Sequence, residues 1–239
     1  MVDTLRDGAA RLGLTLSPSQ LQQFDRFTSE MLVWNERMNL TGITAPEEIV
    51  VRHHLDSLTV ALAFPGGMPP GARLCDVGAG AGFPGIPLKI VFPSLRLTLL
   101  ESVRKKTEFL THVVAFLGLD DTTVVCARAE EAGQDPLHRE QYDIVTARAI
   151  APLTALAEET LPLVSVGGCV VAPKKGDLAH EIASAGRAIS ILGGRLRPLL
   201  HIDLPGLQDQ RCLVIIDKVR PTPAAYPRRP GMPQKRPLQ

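Results

Sequence analysis

The 239-residue chain is 45% hydrophobic and carries a formal net charge of +1, from 26 Lys and Arg against 25 Asp and Glu. That is enough apolar material for one sizeable core, and the near-neutral balance argues against any general electrostatic attraction to nucleic acid. Asp3, Arg6, Asp7 and Arg11 interrupt the opening stretch, which excludes a signal-peptide or membrane-helix pattern there, so a soluble, cytoplasmic protein is expected.

Ser17-Pro18-Ser19-Gln20 has the form of a capping box with proline at the first helical position. The helix it opens sets Leu21, Phe24, Phe27, Met31, Trp34 and Met38 three or four residues apart, an apolar face that reads as core. A second helix is predicted from Pro46-Glu47-Glu48, carrying Val50, Val51, Leu55 and Leu58, until FPGGMPPG breaks the pattern. Short β-branched runs then begin: ARLCDV, RLTLLE, TTVVCA, YDIVTA and GGCVVAP. Most are followed by helical segments such as VRKKTEFLTHVVAFLG, whose Gly118 suits a C-terminal cap. This alternation predicts a doubly wound, Rossmann-like α/β sheet. RLRPLLHIDLP and RCLVIIDKV have only a turn-like link between them, so an antiparallel hairpin is expected to close the sheet edge. The expected organisation is a helical extension over 1–65, the sheet core over 66–219 and a basic, proline-rich, partly extended tail over 220–239.

Cys75, Cys126, Cys169 and Cys212 stand alone in apolar runs without Cys-x-x-Cys spacing, so all four are expected to be small buried hydrophobes. His53, His54 and Asp56 invite a metal reading, but adjacent histidines on a helix point about 100° apart and do not share an ion. No metal is expected. Basic residues cluster at Arg104-Lys105-Lys106, Lys174-Lys175 and PRRPGMPQKRP, against a default of ordinary solvated surface.

The stretch LCDVGAGAGFPG carries the chemistry. Gly78, Gly80 and Gly82 form G-x-G-x-G after a predicted strand, whereas a dinucleotide site wants G-x-G-x-x-G and a P-loop ends in Gly-Lys-Ser/Thr. Position 83 is Phe. Asp76, just before the glycines, is awkward beside a pyrophosphate and suits a cationic ligand. Glu101 closes the second strand, where an acid that binds ribose hydroxyls belongs. Ala129-Glu130 follow the third strand, placed for an adenine edge. Loop, strand-end acid and third-strand pair together fit S-adenosylmethionine.

The chain resembles the RsmG (GidB) family, bacterial methyltransferases that form 7-methylguanosine in the decoding-centre loop of small-subunit ribosomal RNA. The resemblance runs through WNERMNLTGI, RHHLDSL, DVGAGAGFPGIPLKIVFP, ESVRKKTEFL, ARAEE, TARAIAPL and YPRRPGMPQKRPL. It implies a class I S-adenosylmethionine-dependent fold and a cofactor pocket including Gly78, Phe83, Glu101-Ser102, Ala129-Glu130 and Arg148. It implies 16S ribosomal RNA or the small ribosomal subunit as partner; a monomer is expected, although the sequence itself is silent on oligomeric state. It also makes RHHLDS a family signature, in which Arg52, His53 and Asp56 hold the active face or contact RNA. The PRRPG form of the tail resembles only a subset of the family.

The residues agree with that chemistry by elimination. TARAIAPL stands where exocyclic-amine methylases keep Asn/Asp-Pro-Pro-Tyr/Phe, and Cys169 lies inside a predicted strand rather than on a loop where a carbon methylase needs its nucleophile. Guanine N7 has a lone pair that carries no proton and needs positioning rather than a general base. Arg148, at the end of the fourth strand, is therefore the expected catalytic residue, holding either the cofactor carboxylate or the guanine. The competing structural view pairs it with Glu158 or Glu159. Asn39 reads as a cap or a pocket wall. Lys174, Lys175, Arg228 and Arg229 are candidate RNA phosphate contacts. The rival functions are a non-catalytic ribosome assembly factor that keeps the pocket and a small-molecule methyltransferase.

Overall fold

The computed structural model describes residues 2–149, 151–207 and 209–238. Its frame is an eight-stranded sheet: β1 (Arg73–Val77), β2 (Arg96–Glu101), β3 (Thr122–Cys126), β4 (Tyr142–Ala147), β5 (Val164–Lys174), β6 (Gly194–Leu196), β7 (Leu200–His201) and β8 (Cys212–Lys218). The order is β3-β2-β1-β4-β5-β8-β6, with β7 also on β8. The first five strands are parallel, and β8 runs antiparallel to β5, β6 and β7. The hairpin expected at the edge is therefore present in modified form: β8 is inserted beside β5 and itself carries the short β6 and β7.

Alternation along the strands divides the interior. Leu74, Leu97, Leu99, Ile144 and Val171 face one core, while Cys75, Val77, Leu100, Val145 and Val170 face the other. The first core is covered by α1 (Val2–Arg11), α2 (Pro18–Met38), the segment 46–63, α5 (Gly85–Val91) and α6 (Arg104–Leu117). The second is covered by α8 (Leu153–Thr160) and α9 (Ala179–Ile191). The capping box forms as expected, Ser17 Oγ accepting from Gln20 N at 3.2 Å and Gln20 Oε1 from Ser17 N at 2.9 Å. Asn39 closes the same helix in the left-handed region at φ 50°. Phe24, Phe27 and Met31 from α2 are buried in the core that the sheet also lines, so the N-terminal helices share the sheet's core.

Two local expectations change. The helix from Pro46 is not uniform: α3 (Pro46–Ile49) passes into a π-helical turn (Val50–Leu55), then α4 (Asp56–Leu58) and a 3₁₀ stretch (Thr59–Ala63). Wide turns of this kind are frequent at functional sites. Cys126 is exposed, in contrast to the other three cysteines, because it ends the edge strand β3, which has a neighbour on one side only.

The tail does not extend into solvent. Arg139 Nη1 donates to Gly133 O (2.7 Å) and Tyr226 O (2.8 Å), its Nη2 to Thr222 O (2.7 Å), and Gln134 Nε2 to Pro227 O (2.8 Å). A short α10 (Met232–Lys235) ends the docked segment against α8 and α7 (Ala129–Ala132).

Candidate active site

Strand register assembles the site. Val77 pairs with Leu100 and Ala147, and Glu101 with Cys126, so Gly78, Glu101, Ala127 and Arg148 all emerge at the carboxyl edge of the sheet. This is where ligands bind in open α/β sheets. The loop after β1 needs glycine for physical reasons. At Gly82, φ is +92° and a Cβ would lie 2.4 Å from Ile86 Cδ1; at Gly85, a Cβ would lie 2.7 Å from Leu99 Cδ2 and 2.8 Å from Asp76 Oδ2.

Two adjoining cavities open there and share Gly78 and Ser102. The larger, about 480 Å³, is lined by the loop from Gly78 to Ala81, by Phe83, Glu101 and Lys106, and by Thr41, His53 and Arg148. The smaller, about 140 Å³, is lined by Ala127 to Glu130 together with Glu159, Gly231 and Gln234. Of the sequence-predicted cofactor residues, Gly78, Gly80, Phe83, Glu101, Ser102 and Arg148 line the first, and Ala129 and Glu130 the second.

Asp76 lines neither cavity. It is fully buried beneath the glycine loop, where Oδ2 accepts from Gly85 N at 2.8 Å and Oδ1 has no partner. Its expected direct contact with a ligand is corrected to support of the loop. Burial pushes its carboxyl up to about 7, with the Gly85 N–H and the Arg148 charge opposing. Glu101 holds the loop from the other side, Oε2 accepting from Gly80 N (2.9 Å) and Oε1 from Val103 N (2.8 Å). Each carboxylate oxygen retains acceptor capacity for a ribose hydroxyl.

Arg148 is the centre of a network that joins the π-helical turn to the sheet. Nη1 donates to Asp56 Oδ2 (2.9 Å) and Arg52 O (3.1 Å), and Nη2 to His53 Nδ1 (3.3 Å). A guanidinium has five N–H donors, and these contacts use three of them. Its acid partner is Asp56 rather than Glu158 or Glu159; the buried Asp56 also faces Arg211 at 3.5 Å. Sequence reasoning missed Arg211, which precedes β8 without any motif.

The two histidines diverge as adjacent helical residues must. His53 stacks on Phe83, with centroids 4.6 Å apart and planes 21° apart, and its Nε2 meets Thr41 Oγ1 at 2.8 Å. Because Nδ1 accepts from Arg148, Nε2 carries the proton. Burial and the Arg148 charge lower its pKa to about 4. His54 instead faces the core against Phe24 and meets Thr28 Oγ1 at 2.7 Å; burial brings it to about 3. Among the described residues no His, Cys, Asp and Glu group could hold a metal ion.

The predicted phosphate contacts divide. Lys174 is committed internally, to Glu181 (2.6 Å) and Ala151 O (2.9 Å), and Arg228 forks onto Glu158 (2.8 and 2.6 Å). Lys175 and Arg229 are exposed, and Arg52 keeps only a loose 3.9 Å approach to Glu48. Lys106, already part of a basic cluster in the sequence, borders the larger cavity together with Arg148.

A five-strand parallel core, a glycine loop over a strand-end acid and a cleft at the carboxyl edge define a Rossmann-like, S-adenosylmethionine-dependent methyltransferase. Solved structures share the fold: an S-adenosylmethionine-dependent methyltransferase from Aquifex aeolicus matches with a TM-score of 0.54 at 16% identity, covering 80% of this chain and 98% of that one. MtNAS in complex with MTA and tNA matches at 0.55 and 15% identity, covering 92% and 76%. The family is given by closer relatives. The model described as rRNA small subunit methyltransferase G matches residues 20–205. Proteins named ribosomal RNA small subunit methyltransferase G are 52% identical over 237 residues in Roseiflexus castenholzii (99% of this chain, 100% of the relative) and 46% over 231 residues in Dehalococcoides mccartyi (97% of each). The chain belongs to the rRNA small subunit methyltransferase G family.

Proposed function

We propose that this protein transfers the methyl group of S-adenosylmethionine to N7 of a guanosine in the decoding-centre loop of 16S ribosomal RNA. The observation that carries the choice of atom is the absence, among the described residues of the larger cavity, of a free general base. Both Glu101 oxygens accept backbone N–H groups, and His53 is neutral with each nitrogen engaged. Guanine N7 needs no base, and alignment supplies the rate.

When bound, S-adenosylmethionine supplies a methyl group activated by a sulfonium. The chain does the positioning. Glu101 accepts the ribose hydroxyls, Ala129 and Glu130 meet the adenine edge, and Gly78 and Gly80 bring backbone close to the remainder. Phe83, with His53 stacked on it and the Arg148 guanidinium 5.2 Å from its centroid, gives a rigid apolar wall at the reacting end. Arg148 holds the guanine or the cofactor carboxylate. Lys106 borders this end, and the exposed Lys175, Arg52 and Arg229 serve as further phosphate contacts.

No helix among the described residues is long and apolar enough to cross a membrane, consistent with a cytoplasmic protein acting on 16S RNA or the small subunit, and we expect it to act as a monomer. The assembly-factor and small-molecule readings are not favoured by the family. The deciding experiment incubates the protein and labelled cofactor with naked 16S RNA and with small subunits, then maps 7-methylguanosine. Label at an amino group or a carbon would refute the N7 assignment, and no transfer to either substrate would refute the activity.

A further inference from the structure

The family model ends at residue 205, yet residues well beyond it reach the smaller cavity. Gly231 and Gln234 line it beside Ala129, Glu130 and Glu159. Three carboxylates hold the tail in place. Arg228 meets Glu158 through Nε, Nη2 and its backbone N–H, at 2.8, 2.6 and 2.9 Å. Gly231 N donates to Glu130 Oε1 at 2.7 Å, and Gln234 Nε2 to Glu159 Oε1 at 3.1 Å. Upstream, Pro227 packs so tightly on Gly133 that a Cβ there would lie 2.7 Å from Pro227 Cγ. Glu158 is completely buried, so the Arg228 fork compensates a charge that has no access to water.

Glu130 belongs to both structures at once. One of its oxygens is occupied by the tail, while the residue itself borders the cavity next to Ala129. We infer that residues 226–236 form the outer wall of the adenosine half of the cofactor site, with Gly231 and Gln234 as cofactor-contacting residues. This rests on the cofactor placement proposed above. Tail docking and cofactor binding then stabilise each other by the same factor, because coupling between two binding events is reciprocal. Removing the tail opens the adenosine end to water and speeds cofactor release. Glu159 fits such a wall: burial, with repulsion from Glu130 and Glu158 and against the Gln234 hydrogen bond, raises its carboxyl to about 7, so near neutrality it carries only part of a full charge beside a neutral base edge.

The test reads the coupling in both directions, with S-adenosylhomocysteine as the probe. In the wild-type chain, saturating probe is expected to slow tryptic cutting at the Arg228-Arg229 and Lys235-Arg236 bonds by at least about fivefold. Calorimetry and dissociation kinetics are then run on a chain ending at Pro227, on Gln234→Ala, and on the double variant Arg228→Gln with Glu158→Gln. The double variant replaces the ion pair by neutral amides and leaves no lone buried charge if the truncated chain fails to fold. The truncated and double variants are expected to bind about tenfold more weakly, mainly through faster release, and Gln234→Ala to move the same way by less. Equal cutting rates with and without probe, or a folded double variant with wild-type affinity and release, would overturn the inference. A wild-type chain that binds no probe at all would instead sink the cofactor placement beneath it.

Discussion

Asp56→Asn is the sharpest perturbation of the site. The carboxylate is 2% exposed and lies between two guanidinium groups, Arg148 at 2.9 Å and Arg211 at 3.5 Å, whose side chains are only 14% and 13% exposed. Asparagine preserves the shape and can still accept from Arg148 Nη1, but it removes the charge and turns an N–H₂ toward the other cation. Breaking a buried pair costs about 3–5 kcal/mol; partial exposure of both arginines reduces this to roughly 2–4 kcal/mol by the same reasoning. At about 2–4 °C per kcal/mol for a protein of this size, the melting temperature falls by roughly 4–16 °C. Arg148 also loses the charge that orients its fork, so methyl transfer measured in single turnover, well below melting, drops by at least about tenfold, equivalent to ~1.4 kcal/mol. A variant that melts with the wild type and turns over normally would refute the network as drawn. A lower melting temperature with normal turnover of the folded protein would leave Asp56 a structural role only.

Arg148→Lys should retain the Asp56 contact but not the fork onto Arg52 O and His53, so turnover falls at least about tenfold with little change in melting; wild-type turnover would remove Arg148 from the reaction. Glu101→Ala should weaken S-adenosylmethionine binding by about 1.5–3 kcal/mol in calorimetry, and unchanged affinity would withdraw the ribose assignment. Asp76 has a folded pKa of about 7 against 3.8 for the free group. The stability its protonated form contributes is present below the unfolded value and is lost as pH rises through the folded one, so wild type should lose ground to Asp76→Asn between about pH 4 and 7; a pH-independent difference in unfolding free energy would contradict this. Arg229, Lys235 and Arg236 are exposed, and neutralising all three should flatten the log–log salt dependence of RNA binding by roughly 2, at about 0.7 per phosphate contact. An unchanged slope would mean that none of them meets RNA.

What was legible in the sequence follows from how local its cause is. The apolar face of α2, its capping box and the parallel strands depend on residues a few positions apart, and all appear. The glycine loop and the place of Glu101 at the cleft were readable because the ends of parallel strands in a wound sheet converge on its carboxyl edge. The insertion of β8 was not, since its pairing with β5 joins segments some forty residues apart and nothing within RCLVIIDKV distinguishes an inner strand from an edge. Likewise, nothing in VVRHHL announces a π-helical turn. Charged partners were the least legible: Arg148 was matched with Glu158 or Glu159 close by, and the acid it meets, Asp56, is 92 residues away. Lys174 and Arg228 looked like free cations because Glu181 reaches Lys174 through the turn from β5 into α9, and Glu158 is brought to Arg228 across 70 residues by tertiary packing.

The placement of the two chain ends has a common physical cause. A wound parallel sheet creates a cleft at its carboxyl edge but supplies only the floor, because the strands end there and the crossover helices pack on the faces. Walls must come from elsewhere. At the larger cavity the wall is the N-terminal lead, whose π-helical turn presents His53 to Phe83 and the Arg52 carbonyl to Arg148, with Asp56 at the start of α4 completing the contact. At the opposite end it is the tail, which has no long helix or strand of its own and must be held by side chains of the core. Ordering a peptide costs about 1–2 kcal/mol of backbone freedom per residue, and prolines at 227, 230 and 233 reduce what there is to lose. Buried Pro227 and Pro233 with half-buried Tyr226 and Leu238 add apolar contact to the ion pair on Glu158. The proline and arginine content that read as an extended, RNA-binding tail is therefore also what a short docked segment requires: proline limits the entropy lost on docking, and Arg228 neutralises Glu158, a carboxylate that the core has buried completely.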